Sequence, residues 1–284
     1  MAMKIRSCIS SFYESLTNEI IENYSYNEQL ERWVGNPSRA KIVRKYMNSI
    51  QKRKALAGLK PNSVRAIMQE DLMSFYDRCK KNNDVVSIRQ FCIYIFAFIA
   101  LLRIEEALNL RLTNIEYSND RYITLTLNKR KNAPGGNIKP FILHRNDEEP
   151  FLCPVRAYLR WMNVRGNAPG PLFLSDKIGS LVAEKALSYN SFKYRFEDEL
   201  RKIGIWSWNL YGTHSFRRGG CQFYLHVRGK SIKAVCAWGG WSDLSIAFRY
   251  MIGANDDVEV DRQEFSRPPH AKICSKCRRK LTKL

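Results

Sequence analysis

Apolar positions near the start of the chain fall in helical steps. Leu30, Trp33 and Val34 form one cluster, Asn36-Pro37-Ser38 interrupts it, and Ile42, Val43, Tyr46, Met47 and Ile50 follow on one face. That spacing predicts a helix capped by Ser38. A short helix is expected from Glu70 to Cys79, stopped by Lys80-Lys81-Asn82-Asn83. Val85 to Leu110 reads as one long helical region. From Phe91 to Leu102 it has no polar face, which places it in the middle of a domain. The period then changes from helical to alternating. Tyr122 to Leu127 alternates as a half-buried strand, Pro134-Gly135-Gly136 supplies a turn, and Ile138 to Leu143 returns as a second strand. Lys129, Arg130 and Lys131 are thereby expected at the hairpin tip. Pro154 opens a further helix that buries Val155, Tyr158, Leu159 and Met162 and stops at Gly166. Another buries Phe192, Phe196, Leu200 and Ile203 and ends at Gly204. Gly212 to Gly220 reads as a turn feeding a helix start, and Ser242 or Asp243 as the cap of a helix bearing Leu244, Phe248 and Tyr250. The fold class is α+β, mostly helical, with a small antiparallel sheet.

Composition narrows the function. The 284 residues carry 47 Lys and Arg against 27 Asp and Glu, a formal charge of +20, and 45% are hydrophobic. The apolar share supports a core and excludes wholesale disorder. The basic excess points to a polyanionic partner, nucleic acid first and an anionic membrane second. Arg39, Lys41, Arg44, Lys45, Lys52, Arg53 and Lys54 occupy the polar side of the Ile42–Ile50 helix without an intervening acid. This favours phosphate contact over a merely solvated face. A membrane span is not expected, because the longest apolar run is twelve residues and a bilayer needs roughly 20. Nor is a signal peptide expected, since Glu14 interrupts the first apolar stretch. Six of the eight cysteines stand singly, at 8, 79, 92, 153, 221 and 236. They read as reduced thiols of an intracellular protein. Cys274-x-x-Cys277 is half a zinc site with no second pair, so no metal is expected. His226 is expected to be structural, and His144 and His270 solvated.

The remaining candidates match what metal-free cleavage of a DNA strand requires. A phosphodiester repels nucleophiles through its two non-bridging oxygens, which a pair of arginines can clamp. A tyrosine phenol can attack phosphorus and leave a reversible ester. A lysine can protonate the departing 5′ oxygen, and a histidine can manage the phenolic proton. The chain holds Arg103 after the apolar run, Lys129 and Lys131 on the hairpin, and His214 with Arg217 three residues on. Trp241 and Tyr250 follow, nine residues apart. Each alone has a plainer reading: Arg103 can pair with Glu106, Trp241 can be core, and Tyr250 can be packing.

In order and spacing these residues resemble the tyrosine recombinases (phage integrases and relatives) over roughly residues 64–255. Leu101-Leu102-Arg103-Ile104-Glu105-Glu106-Ala107-Leu108 resembles the first family box and Thr213-His214-Ser215-Phe216-Arg217-Arg218-Gly219-Gly220 the second. The latter, with Trp238-Gly239-Gly240-Trp241 and Val34-Gly35-Asn36-Pro37-Ser38, looks most like the Crypton-type recombinases of eukaryotic mobile elements. The resemblance implies an N-terminal helical DNA-clamping segment at 1–62, a catalytic domain at 63–265 and a basic flexible tail at 266–284. It implies a catalytic set of Arg103, Lys131 (alternatively Lys129), His214, Arg217, Trp241 and Tyr250, with no cofactor, metal or ATP. Arg39, Lys41, Arg44, Lys45 and Arg218 are expected on DNA. The implied partner is double-stranded DNA, bound by a homo-oligomer, a tetramer on paired sites, in the nucleus. The rival readings are a catalytically silent, host-adopted DNA-binding protein and a type IB topoisomerase.

Overall fold

The computed structural model describes residues 2–17, 24–58, 64–130, 138–241, 243–244, 248 and 250. The chain divides into two compact units, Met1–Asn62 and Ser63–Leu284.

The first unit holds α1 (Ala2–Thr17), a hairpin of β1 (Ser25–Asn27) and β2 (Arg32–Val34), and α2 (Lys41–Leu56). The hairpin was not expected. Its strands are only three residues long, and it gains a face by stacking Trp33 on Tyr24 with ring centroids 5.1 Å apart. Ser38 does not cap the basic helix. Asn36 accepts from the Ser38 backbone at 2.9 Å and opens a single 3-10 turn, Pro37–Arg39, so α2 starts only at Lys41. The apolar face is also split: Met47 is buried, whereas Ile42 and Tyr46 are 76% and 56% exposed.

The second unit is built around α4 (Val85–Ile99), which follows α3 (Gln69–Asn82). Asp84 caps α4 by accepting from the backbone of Val86 and Ser87, and every side chain from Ser87 to Phe98 is buried. The expected single helix to Leu110 is in fact broken. The chain turns at Ala100–Arg103, with Leu101 in the left-handed region at φ 49°, and resumes as α5 (Ile104–Leu108). A three-stranded antiparallel sheet of β3 (Ile115–Asn119), β4 (Tyr122–Leu125) and β5 (Phe141–His144) follows in that order. Its register sets Tyr122 opposite His144 and Leu125 opposite Phe141. Strand β3 and a second hairpin, β6 (Leu174–Lys177) with β7 (Ser180–Ala186), add to the two expected strands. Around them lie α6 (Pro154–Arg165), α7 (Tyr189–Lys202), α8 (Ser215–Gln222), a π-helical turn at Phe223–Val227, and α9 (Ile232–Gly239).

Helix α8 packs directly on α4. A β-carbon at Gly219 would collide with the Ile67 carbonyl oxygen, and one at Gly220 with the carbonyl of Phe98. The paired glycines therefore let two backbones touch. Tyr94 of α4 stacks on Phe216 of α8 at 4.6 Å, and its hydroxyl donates to the Glu199 carboxylate. Burial pushes the Glu199 carboxyl up to about 7. Among the described residues, no helix is long and apolar enough to cross a membrane.

Candidate active site

Three chain breaks meet at one place: the turn after α4, the start of α8 and the end of α9. Leu101, held in its left-handed turn, turns its carbonyl toward Arg217, whose Nη1 donates to it. Arg217 Nη2 donates to the carbonyl of Gly239, the last residue of α9, at 2.6 Å. The Arg217 side chain is thus fixed by two backbone carbonyls from segments far apart in sequence. Glu106 completes the frame. Its Oε2 accepts from the Arg103 backbone at 2.9 Å, capping α5, and its Oε1 pairs with Arg103 Nη1 at 2.6 Å. The same carboxylate lies 3.9 Å from Arg217 Nη1 and 3.7 Å from Arg130 Nε.

Three guanidiniums therefore share one carboxylate in a mostly buried setting. Burial, and then the Arg103 and Arg130 charges, pull Arg217 down to about 10, where it remains protonated at neutral pH. Its Nε and the Trp241 Nε1 are buried without a hydrogen-bond partner among the described residues. Preorganised donors and excess positive charge in a poorly solvated pocket are what an incoming phosphate requires.

The aromatic side of the pocket comes from Trp241 and Tyr250. The Arg217 guanidinium carbon sits 4.3 Å from the Trp241 ring centre and 5.7 Å from that of Tyr250. The two rings lie 5.0 Å apart, and Tyr250 is 6.2 Å from the His214 ring. His214 occupies the N-cap position of α8 and is exposed. Partial desolvation, then Arg217 and Arg103, hold its imidazole below the ordinary value. Arg103, His214, Arg217, Trp241 and Tyr250, spread over about half the chain, thus converge.

Other expectations fare differently. Lys129 is exposed just beyond β4, and Lys131 lies outside the described residues, as do the Pro134 turn, Ser242, Cys274, Cys277 and the basic tail. Arg130 is not at an exposed tip: it is buried against Glu106 and the Phe141 ring. Arg218 is buried too, and its Nη1 donates to the Val64 carbonyl at 2.8 Å. In the structure it braces the chain entering the second unit and is not a surface cation. Lys41, Arg44 and Lys45 are exposed on α2, and Arg39 pairs with Glu14 at 3.3 Å. The reading of Glu106 as a partner of Arg103 alone missed its two further guanidiniums. The missed contacts leave no local signature, except that an acid three residues after Arg103 sits one helical turn away.

A model of the phage integrase family matches residues 65–255, well over half of the chain. The chain belongs to the phage integrase family. Among solved structures, this family member is similar to the XerA recombinase, at 16% identity and TM-score 0.52, over 74% of this chain and 66% of that one. It is also similar to the XerH site-specific recombinase bound to palindromic difH substrate in a post-cleavage complex. There the identity is 18% and the TM-score 0.51, over 71% of this chain and 52% of that one. The chain spans about half to two thirds of the length of these structures, and the likeness establishes the tyrosine recombinase fold. Comparison with curated proteins finds no match.

Proposed function

We propose that this integrase-family chain cleaves and rejoins DNA strands through a covalent 3′-phosphotyrosine intermediate. The observation that carries the reading is the placement of the Tyr250 and Trp241 rings on the Arg217 guanidinium, beside His214 and the Glu106-held Arg103. Membership of the family, and likeness to a XerH recombinase bound to its difH substrate, support the same conclusion.

In this mechanism Arg103 and Arg217 neutralise the non-bridging oxygens of the scissile phosphate as charge develops in the transition state. Tyr250 Oη attacks phosphorus in line, and its proton passes toward His214, whose imidazole partial burial and the Arg217 and Arg103 charges hold below the ordinary value. Trp241 Nε1 supplies a further donor or a packing wall. The bond to the 5′ oxygen breaks as Lys131, or alternatively Lys129, protonates it. The phosphotyrosine ester conserves the energy of the broken bond, so a 5′-hydroxyl can reverse the attack without ATP. Duplex DNA is bound by exposed Lys41, Arg44 and Lys45 with Arg39 of the first unit, and by the catalytic unit. The finer reading is a Crypton-type recombinase of a eukaryotic mobile element, working as a tetramer on paired sites in the nucleus. It rests on the Trp238-Gly239-Gly240-Trp241 and Gly212–Gly220 motifs and on the basic charge.

A nicked suicide duplex, which traps the ester by losing the short 5′-hydroxyl strand, tests this directly. The protein should form a DNA adduct that survives denaturing electrophoresis, and Tyr250→Phe should form none. DNA binding without an adduct in the unaltered protein would leave only a DNA-binding module. Relaxation of supercoiled plasmid without site preference would favour a type IB topoisomerase.

A further inference from the structure

Arg130 stands between the two candidate proton donors in the chain, yet its own side chain turns inward and is buried. Its Nη2 donates to the Leu101 carbonyl at 3.5 Å and its Nη1 to the Trp238 carbonyl at 3.4 Å, while Nε lies 3.7 Å from Glu106. The guanidinium rests on the Phe141 ring at 5.2 Å. On the opposite side it closes on Gly240, the left-handed residue after α9 (φ 67°), where a β-carbon would strike Arg130 Nη1. These are the groups that fix Arg217, or their immediate neighbours: the Leu101 carbonyl, the Glu106 carboxylate and the end of α9. The bonds are long and, among the described residues, Nε lacks a hydrogen-bond partner, which makes Arg130 a poor investment as a stabilising contact. What it does achieve is to tie the irregular segment beyond β4 to the frame of the phosphate pocket. Lys129 is one peptide away, about 3.8 Å along the backbone.

We propose that Arg130 is a positioning residue that registers Lys129 on the leaving 5′ oxygen. The inference rests on the strand-cleaving reading above. Arg130 does not touch the phosphate in this role; it fixes the backbone from which the proton donor reaches it. Loss of the anchor therefore impairs protonation of the leaving group and leaves the clamp on the non-bridging oxygens in place.

A 5′-bridging phosphorothiolate at the scissile position separates these effects. A thiol has a pKa of about 8.5 and departs as a thiolate without a proton donor. Arg130→Met should slow single-turnover adduct formation by about 100-fold on the ordinary oxygen duplex, within the range of a lost general acid. On the sulfur duplex it should cleave within a few-fold of the unaltered protein. Arg130→Lys, which keeps the charge, should recover part of the rate on oxygen, and Arg217→Ala should be slow on both duplexes. Equal slowing of Arg130→Met on oxygen and sulfur would make Arg130 part of the clamp or a plain structural residue, and would overturn the proposal. Full activity of Arg130→Met on oxygen would overturn it as well. If Arg130→Met does not fold, Arg130→Lys and Arg130→Gln are compared on the same two duplexes under the same criterion. Failure of the unaltered protein to cleave either duplex would refute the strand-cleaving reading itself, and this inference with it.

Discussion

One carboxylate, Glu106, restrains Arg103, Arg130 and Arg217 at 2.6, 3.7 and 3.9 Å. Glu106→Gln keeps the shape and one acceptor oxygen but removes the charge. Two unit charges about 4 Å apart interact by about 4 kcal/mol at the effective dielectric near 20 that suits partly buried groups. Breaking a buried pair from one side costs about 3–5 kcal/mol, since the remaining cations are left uncompensated. Side-chain exposure of 10% at Glu106 and 0% at Arg217 puts this site in that regime and not among surface pairs. The expected loss is about 3 kcal/mol for Glu106→Gln, and more for Glu106→Ala, which also uncaps α5. Urea denaturation followed by tryptophan fluorescence measures it. A duplex carrying the recognised site should stabilise Glu106→Gln more than the unaltered protein, because a phosphate replaces the missing negative charge among the guanidiniums. A stability change under about 0.5 kcal/mol would refute the shared-carboxylate account and with it the picture of an overcharged pocket.

Three further outcomes follow from the same structure. Burial holds the Glu199 proton to about pH 7 against an ordinary 4.5, so the native state binds that proton more tightly than the unfolded chain. Its stabilising effect is complete below pH 4.5 and is lost as pH rises toward 7, about 3 kcal/mol in all. Glu199→Gln should flatten this slope in urea melts at pH 5 and 8, and an unchanged slope would assign it elsewhere. NMR titration should place the His214 imidazole below 6.5 and move it upward in Arg103→Met, where a repelling neighbour is gone; a value at or above 6.5 in the unaltered protein would contradict the cationic surroundings. Replacing Arg44 and Lys45 together with Ala should lower the slope of log K against log salt by about 2 for duplex binding, whereas Arg218→Ala should lower stability and leave that slope intact.

The residues that sequence periodicity located well are those whose environment is local. The polar-free run from Phe91 is a core helix because every turn of it meets apolar neighbours, and Pro154 and Gly166 bound α6 by their own backbone chemistry. The break at Leu101 is different. Neither Gly nor Pro marks it; a leucine takes a left-handed conformation because its side chain is buried against Cys221, Val235 and Trp241 and its carbonyl meets Arg217. Arg130 misled in the same way. Between two lysines it reads as a surface cation, and only Glu106, 24 residues earlier, and Gly240, far later, make it an interior one. The short strands β1, β2 and β6 carry too few alternating positions to signal themselves.

That strain, burial and uncompensated charge gather at one place follows from the task proposed for it. A clamp for a phosphodiester works by holding its donors still before the anion arrives, so the cost of ordering them falls on folding and not on the reaction. Here the stillness comes from the core. Phe216, between His214 and Arg217, is stacked on Tyr94 of the buried α4, and Gly219 and Gly220 let α8 lie against the backbone of that helix and of the irregular segment before α3. Arg217 is then bonded to carbonyls of two other segments and cannot swing toward solvent. A basic surface alone would bind any polyanion; in the proposed reaction a guanidinium fixed on two other segments, with the Tyr250 ring centre 5.7 Å away, would select a single phosphorus for attack.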